Sequence, residues 1–215
     1  MPFKLVHPMN EYKNFEELKN NEKEGEDFQI VTLDRKNQTV IIAPHGGGIE
    51  PGTSEIARRI ANEDFSLALF EGMKNENNKS LHITSTNFDE PQCLSLIKST
   101  NNIIAIHGEK SDDNVVYLGG LNIELGKAIR LELEKKGFDV CIHTDQKLQG
   151  KSIKNICNQG SNKKGVQLEL SSGLRNTFFL HGLSKNERQH TIERLNVFAE
   201  AIRKVVFEFE EPKNN

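Results

Sequence analysis

The residues best suited to chemistry lie around a glycine-rich turn. In the stretch IIAPHGGGIEPGTSEIA, His45 precedes three consecutive glycines and Glu50 follows them. Imidazole nitrogen and carboxylate oxygen are zinc ligands, and a catalytic zinc site has three protein ligands and a water. Positions five apart do not share a helical face, so the glycines must bend the chain if the two side chains are to converge. The turn therefore predicts part of a zinc site.

A phosphate-binding loop is the rival interpretation of the same glycines. The stretch GGGIEPGTS lacks the lysine of a phosphate-binding GK[ST] motif and the spacing of a dinucleotide-binding GxGxxG motif. It also places the acidic Glu50 where a bound anion would lie. Metal binding fits these residue types better.

A third ligand is needed, and three histidines are candidates. His107 ends the apolar run NIIAIHG and opens a polar segment, which makes it the favoured one. His143 also lies near the carboxyl end of an apolar run, whereas His82 lies near the start of one. Both remain alternatives, because a histidine at a strand end is commonly no more than a hydrogen-bonded side chain.

A hydrolytic zinc site also uses a carboxylate that does not bind the metal and that carries a proton during the reaction. Glu169, in GVQLELSSGLR, is the candidate because it is a lone acid within an apolar strand. The alternative is an outward-facing strand residue, since Gln167 and Glu169 share a face at a period of two. Arg175 could bind a substrate carboxylate through two hydrogen bonds or stabilise a developing oxyanion.

Short apolar runs alternate with helical patterns along the chain. Strands are predicted at 38–44, 66–72, 80–86, 102–108, 115–120, 139–145 and 165–172, and helices at 52–63, 90–101, 121–137 and 184–208. The last helix opens on a capping-box pattern of Ser184 and Glu187, and Gly137 is a plausible end for the third. This alternation predicts an α/β fold: a single domain, 1–215, with a mixed, mostly parallel central sheet flanked by helices. Ligand sites in such sheets lie at the carboxyl ends of the strands.

Composition bounds the class of protein. The 215 residues are 35% hydrophobic and 27% charged with a net charge of −3, which indicates a globular chain that does not bind nucleic acid. No apolar run approaches the length of a membrane span, and the first residues lack a secretory signal, so we expect cytoplasmic synthesis, with action outside the cell only after lysis. The three cysteines, without a CxxC pair, are expected to be free thiols, and Cys141 is expected in the core.

A basic segment separates two of the predicted strands. Residues 146–164 contain no acid, and their lysines are Lys147, Lys151, Lys154, Lys163 and Lys164. Long loops in compact domains are usually functional or mobile. A solvated loop with no binding role is the alternative interpretation.

Four segments in this order, APHGGGIEPGTSEIA, LHITSTNFDEP, IHGEKSDDNVVYLGG and NICNQGSNKKGVQLELSSGLR, resemble the phage-encoded poly-γ-glutamate hydrolases. That family is zinc-dependent, and its fold is related to that of the zinc carboxypeptidases. The resemblance implies Zn2+ held by His45, Glu50 and His107, with Glu169 as the catalytic glutamate. The substrate it implies is a polymer with a free α-carboxylate on every residue. Arg175, Asn158 and Lys163 are candidate contacts to such a polyanion.

The sequence thus predicts a zinc hydrolase, expected to be a monomer, that cleaves the γ-glutamyl amide bonds of poly-γ-glutamate. One alternative is a zinc deacylase or carboxypeptidase acting on another acidic substrate, such as formylglutamate or a cell-wall peptide. The other is a phage protein that binds polyanions through the lysines of 147–164 and performs no chemistry.

Overall fold

The fold is a seven-stranded sheet between two layers of helices and loops. The structure, a computed structural model, describes residues 12–184, 188 and 191–211. The strands are β1 Phe28–Leu33, β2 Thr39–Gly47, β3 Ser66–Gly72, β4 Asn102–Gly108, β5 Val115–Gly120, β6 Asp139–Cys141 and β7 Val166–Leu170. The helices are α1 Phe15–Asn21, α2 Thr53–Ala61, α3 Pro91–Lys98, α4 Ile123–Lys135, α5 Ser172–Asn176 and α6 Glu193–Glu210. None of the helices in this described part of the chain is long and apolar enough to cross a membrane.

The strand order is β1-β3-β2-β4-β7-β5-β6. Strands β3, β2, β4 and β7 run parallel to one another, whereas β1 is antiparallel to β3 and β5 is antiparallel to β7. The prediction of an α/β fold with a mixed, mostly parallel sheet is therefore confirmed. The carboxyl ends of the central strands β2, β4 and β7 meet at one edge, where His45, His107 and Glu169 lie.

Each face of the sheet packs against its own hydrophobic core. Along β4, Ile104 and Ile106 join the larger core with residues of α2, α4 and α6. Ile103 and Ala105 face the other core, which includes residues of α1 and α3 together with Ile156. Because strand side chains alternate between faces, the residue after Ile106 belongs to the second face. His107 therefore projects on the side of the sheet that the helices cover less completely.

One predicted strand is wrong. Residues 80–86 form no strand: a single 3-10 turn spans Asn78–Leu81, and the following residues cross the end of the sheet. The physical reason is that the outer edge of β3 is already occupied by β1, a strand that we did not predict. Leu81 and Ile83 instead bury their side chains in the second core. The short helices α1 and α5 were also not predicted.

The cysteines and two helix ends can be compared with the expectations from the sequence. Cys141 is exposed rather than buried, because β6 is an edge strand with one inward side chain, so the prediction of a core position is wrong. All three cysteines are free, as expected. Gly137 follows the end of α4 with a φ of 81°, as a helix-ending glycine should. Helix α6 begins at Glu193 rather than at 184, and Glu187 of the predicted capping box lies outside the described residues.

Candidate metal centre

The glycine-rich turn brings His45 and Glu50 together. Strand β2 ends at Gly47, which has a φ of 64°, and a Cβ at this position would collide with the main-chain oxygen of Gly72 on β3. The chain then reverses, so that the Glu50 N–H donates to the main-chain oxygen of His45 at 2.9 Å. Only glycine meets both requirements at position 47 without strain. The turn therefore bends the chain so that the two side chains converge.

His107 completes a compact group of three donors. His45 Nδ1 lies 3.0 Å from Glu50 Oε1. His107 Nδ1 lies 3.2 Å from His45 Nδ1 and 3.7 Å from Glu50 Oε2. The Gly108 N–H donates to Glu50 Oε2 at 2.7 Å and so fixes the carboxylate against β4. Two imidazoles and a carboxylate are the donor set of a catalytic zinc site.

His82 also reaches this group, although it comes from the segment that crosses the sheet end. Its ring stacks on that of His45 with centroids 3.9 Å apart, and its Nε2 lies 3.9 Å from Glu50 Oε1. Donor atoms of His45, Glu50 and His82 lie within 4.8 Å of one another. We call His45, Glu50, His82 and His107 the donor cluster. His143 does not belong to it, since its ring packs against Tyr117 on the far side of β7.

Hydrogen bonding tests whether the cluster fits a metal. His45 Nε2 lies 2.7 Å from the main-chain oxygen of Ile83, which can only accept, so in neutral His45 the proton is assigned to Nε2. His45 Nδ1 then presents a lone pair toward Glu50 Oε1, another acceptor, at 3.0 Å. A nitrogen lone pair and a carboxylate oxygen at this distance are held together by a proton or a metal ion between them. The residues present therefore fit a zinc ion, and the Ile83 oxygen orients its histidine ligand.

Burial favours the neutral form of two imidazoles of the cluster, His107 and His82. Desolvation lowers the pKa of His107 to about 4 and that of His82 to about 3. Burial alone would raise the pKa of Glu50, but the charge and hydrogen bond of His45, the charge of His107 and the Gly108 N–H together lower it to about 2. At neutral pH His107, His82 and Glu50 are therefore in the forms that bind metal, neutral imidazoles and an ionised carboxylate.

Glu169 lies on the strand next to His107 and in register with it. Strand β7 pairs His107 with Glu169 on one side and Glu169 with Tyr117 of β5 on the other. Glu169 shares its face with Gln167 as expected, but that face is covered rather than outward-facing, with Gln167 2% and Glu169 5% exposed. Burial, followed by the charges of Glu50 and Glu109, raises the pKa of Glu169.

The structure gives Arg175 contacts that the sequence did not indicate. Its guanidinium is buried and donates to three main-chain oxygens: Nε to Leu170 at 3.0 Å, Nη2 to Glu109 at 2.8 Å, and Nη1 to Pro51. These carbonyls follow the three segments that carry Glu169, His107 and Glu50. Arg175 therefore joins these three segments through hydrogen bonds. Its contact with substrate stays a prediction.

The basic segment presents its lysines to solvent. Lys147, Lys151, Lys154, Lys163 and Lys164 are all exposed. Asn158, by contrast, is fully buried: its Nδ2 donates to the main-chain oxygens of Gly150 and Ser152, and its Oδ1 accepts from the Gly165 N–H. Asn158 thus holds the shape of the loop, while Lys163 is available to a ligand. Substrate contact by either residue stays a prediction.

The sequence did not reveal two amide side chains near Glu169: Gln167, which contacts it, and Asn155, which contacts Gln167. Gln167 Nε2 donates to Glu169 Oε1 at 2.9 Å, and Asn155 Nδ2 donates to Gln167 Oε1 at 2.9 Å. The available signal was a second polar residue, Gln167, two positions before the lone acid in a strand that is otherwise apolar. Asn155 carried no such signal, because only the folded loop brings it to β7.

Comparisons with known proteins place the chain in a family. Residues 12–201 match the sequence family described as poly-gamma-glutamate hydrolase. The SPbeta prophage-derived UPF0714 protein YoqZ of Bacillus subtilis (strain 168) is 39% identical over 201 residues, which cover 91% of this chain and 73% of YoqZ.

Two solved structures are similar to the chain throughout, each at 35% sequence identity. One is a bacteriophage poly-gamma-glutamate hydrolase, with a TM-score of 0.89 over 92% of this chain and 97% of the other. The second is the zinc-free form of YndL, with a TM-score of 0.87 over 93% of this chain and 98% of the other.

Proposed function

The chain belongs to the poly-γ-glutamate hydrolase family and is a hydrolase of amide bonds, and we propose that it cleaves γ-glutamyl bonds using a zinc ion held by His45, Glu50 and His107. The observation that carries this proposal is that His45 Nδ1 approaches Glu50 Oε1, and His107 Nδ1 approaches His45 Nδ1 and Glu50 Oε2, beside Glu169. The zinc-free state described for the similar YndL supports the choice of metal.

When bound, zinc would polarise the scissile carbonyl and lower the pKa of a water at the site. The chain's own contribution is proton transfer by Glu169. Its Oε1 accepts a hydrogen bond from Gln167, which leaves Oε2 to take a proton from the attacking water. A C–O bond forms, the amide C–N bond breaks, and Glu169 passes the same proton to the leaving nitrogen. The second proton of the water leaves the new carboxyl group and protonates the amine, so the products are a γ-carboxylate and an ammonium group.

The exposed lysines support a polyanionic substrate. A γ-linked polymer carries one α-carboxylate per residue, and the segment 146–164 presents five lysines to solvent with no acidic residue among them. Attraction of this kind favours encounter and weakens as salt increases. Lys163 is one proposed contact. The role proposed for Arg175 is to hold the catalytic segments in place beside the bound chain.

The general base is tested by Glu169→Gln. We expect kcat to fall by about 10²- to 10⁴-fold while zinc remains bound at one equivalent, because the amide cannot take the proton and Glu169 is not a ligand. The assay compares γ-linked with α-linked oligoglutamates of the same length. Turnover by the variant near the wild-type rate would rule out the base. Cleavage of α-linked chains, or of another acidic amide, in preference to γ-linked ones would favour the deacylase alternative.

The choice of the third ligand is tested by comparing His107→Ala with His82→Ala. His107 ends a central strand in register with Glu169, and its Nδ1 lies 3.2 Å from His45 Nδ1, so we expect His107→Ala to lose zinc and activity together. His82→Ala should keep zinc near one equivalent, with any change arising from lost stacking on His45. The reverse pattern of zinc contents would make His82 the ligand in place of His107.

A further inference from the structure

We propose that Gln167 is a positioning residue for Glu169 and that Asn155, in the basic segment 146–164, fixes the orientation of the Gln167 amide. The proposal rests on the assignment of Glu169 as the general base. It connects the loop that carries the lysines with the carboxylate that moves the proton.

The sheet leaves room for this contact. The strand neighbours of Gln167 are Ala105 on β4 and Gly119 on β5, which are both small. A Cβ at Gly119 would collide with the main-chain oxygen of Gln149. The loop can therefore lie directly against β7 at this level. Gln167 is 2% exposed as a result, and its amide must find its partners within the protein.

The two amides belong to a series of hydrogen bonds with a main-chain group at each end, the Cys157 N–H at one end and the Leu148 oxygen at the other. These two main-chain groups determine how each amide is oriented. The Cys157 N–H can only donate, and it donates to Asn155 Oδ1 at 3.0 Å, so Asn155 turns its Nδ2 toward Gln167. Asn155 Nδ2 donates to Gln167 Oε1 at 2.9 Å, which places Gln167 Nε2 on the opposite side.

Gln167 Nε2 then has two acceptors. It donates to Glu169 Oε1 at 2.9 Å and to the main-chain oxygen of Leu148 at 3.1 Å. The Leu148 oxygen can only accept, which confirms the direction assigned from the other end. Glu169 is thus held at one oxygen, and its other oxygen remains for the reaction. An alternative orientation of Gln167 would place its oxygen against the carboxylate and repel it.

Gln167→Met tests the proposal in the zinc-loaded full chain. Methionine keeps the length of the side chain and removes its hydrogen bonds. We expect kcat to fall by about 10-fold with KM and zinc content unchanged, because the carboxylate loses its orientation and the metal does not. Gln149→Met is the matched control: this amide belongs to the same loop and donates to the main-chain oxygen of His143, with no contact to Glu169. Its kcat should remain at the wild-type value.

Asn155→Asp provides a second variant of nearly identical shape. The introduced carboxylate cannot donate to Gln167 Oε1, so the amide is expected to turn its Nε2 toward that carboxylate and away from Glu169. The result should again be a loss in kcat without a change in KM. Because Asn155 acts through Gln167, a double variant with Gln167→Met should be no slower than Gln167→Met alone.

Several outcomes would overturn the inference. A wild-type kcat in folded Gln167→Met would overturn it while leaving the proposed function intact. A double variant whose loss in kcat is the product of the separate losses of Gln167→Met and Asn155→Asp would overturn it in the same way. An equal loss in Gln149→Met would mean that loop integrity, rather than the Gln167 bond, sets the rate. A wild-type chain that does not cleave γ-linked glutamate would overturn the proposed function and the inference together.

Discussion

Arg175 illustrates how one buried side chain can hold several catalytic segments. It donates to the main-chain oxygens of Pro51, Glu109 and Leu170, which adjoin the segments that carry Glu50, His107 and Glu169. A buried guanidinium bonded in this way contributes through position as much as through charge. The consequence is that a substitution at 175 should disturb stability before it disturbs substrate affinity.

Arg175→Met should lower the free energy of unfolding by about 3 kcal/mol, because it leaves buried main-chain oxygens without a donor. The melting temperature should fall by roughly 6–12 °C for a domain of this size. Arg130→Met is the control, since Arg130 pairs with Glu134 on the surface of α4 and should change stability little. A raised KM with an unchanged melting temperature would instead favour substrate binding by Arg175, as the sequence suggested.

Residue types at strand ends favoured His107 over the other histidines, and the family resemblance settled that choice. His107 and Glu169 each lie near the end of a strand in a mostly parallel sheet, where such ends meet. His82 was a weaker candidate because it lies near the beginning of a predicted strand, and residues 80–86 form no strand. The Asn155 contact could not be predicted, because it depends on how a polar loop folds back over β7. Local patterns predict which face a side chain takes, but they do not predict what covers it.

At the level of elements, the turn after β2 determines the geometry of the site. Gly47 combines a positive φ with close approach to β3, and the reversal that follows brings Glu50 back to His45. Segment 80–86 shows the limit of pattern reading at this scale. Its apolar residues indicated a strand, but β1 already occupies the free edge of β3, so they pack over the sheet end instead.

Gly47→Ala should weaken zinc binding and destabilise the fold. The substitution adds the cost of a positive φ, about 1–2 kcal/mol, and a collision with the Gly72 oxygen. Gly25→Ala separates the two effects, because Gly25 has a φ of 84° and nothing within 4 Å of an added Cβ. Zinc titration and thermal melting of both variants make the comparison. Equal zinc affinity in the two would show that the turn does not position the ligands.

At the scale of the whole molecule, the donor cluster makes the stability of the chain depend on pH. Burial lowers the pKa of His107 from 6.5 to about 4. Below pH 6.5 the unfolded chain therefore binds a proton that the folded chain does not, so the metal-free protein should lose stability as the pH falls from about 6.5 toward 4.

The measurement is the urea midpoint of chelator-treated protein at several pH values in that window. The His107→Gln variant serves as the reference, since glutamine does not titrate. The wild type should lose more stability than the variant as the pH falls. Parallel curves for the two proteins would mean that His107 titrates in the folded state as it does in the unfolded chain.

The central claim is that one zinc ion at the donor cluster is required for cleavage of γ-linked polyglutamate. The most direct measurement is the zinc content of the purified chain together with the size of poly-γ-glutamate after incubation, before chelation, after chelation and after zinc is restored. We predict one zinc per chain, shortening of the polymer, loss of shortening with the chelator and recovery with zinc. Shortening at an unchanged rate by fully zinc-free protein would contradict the account.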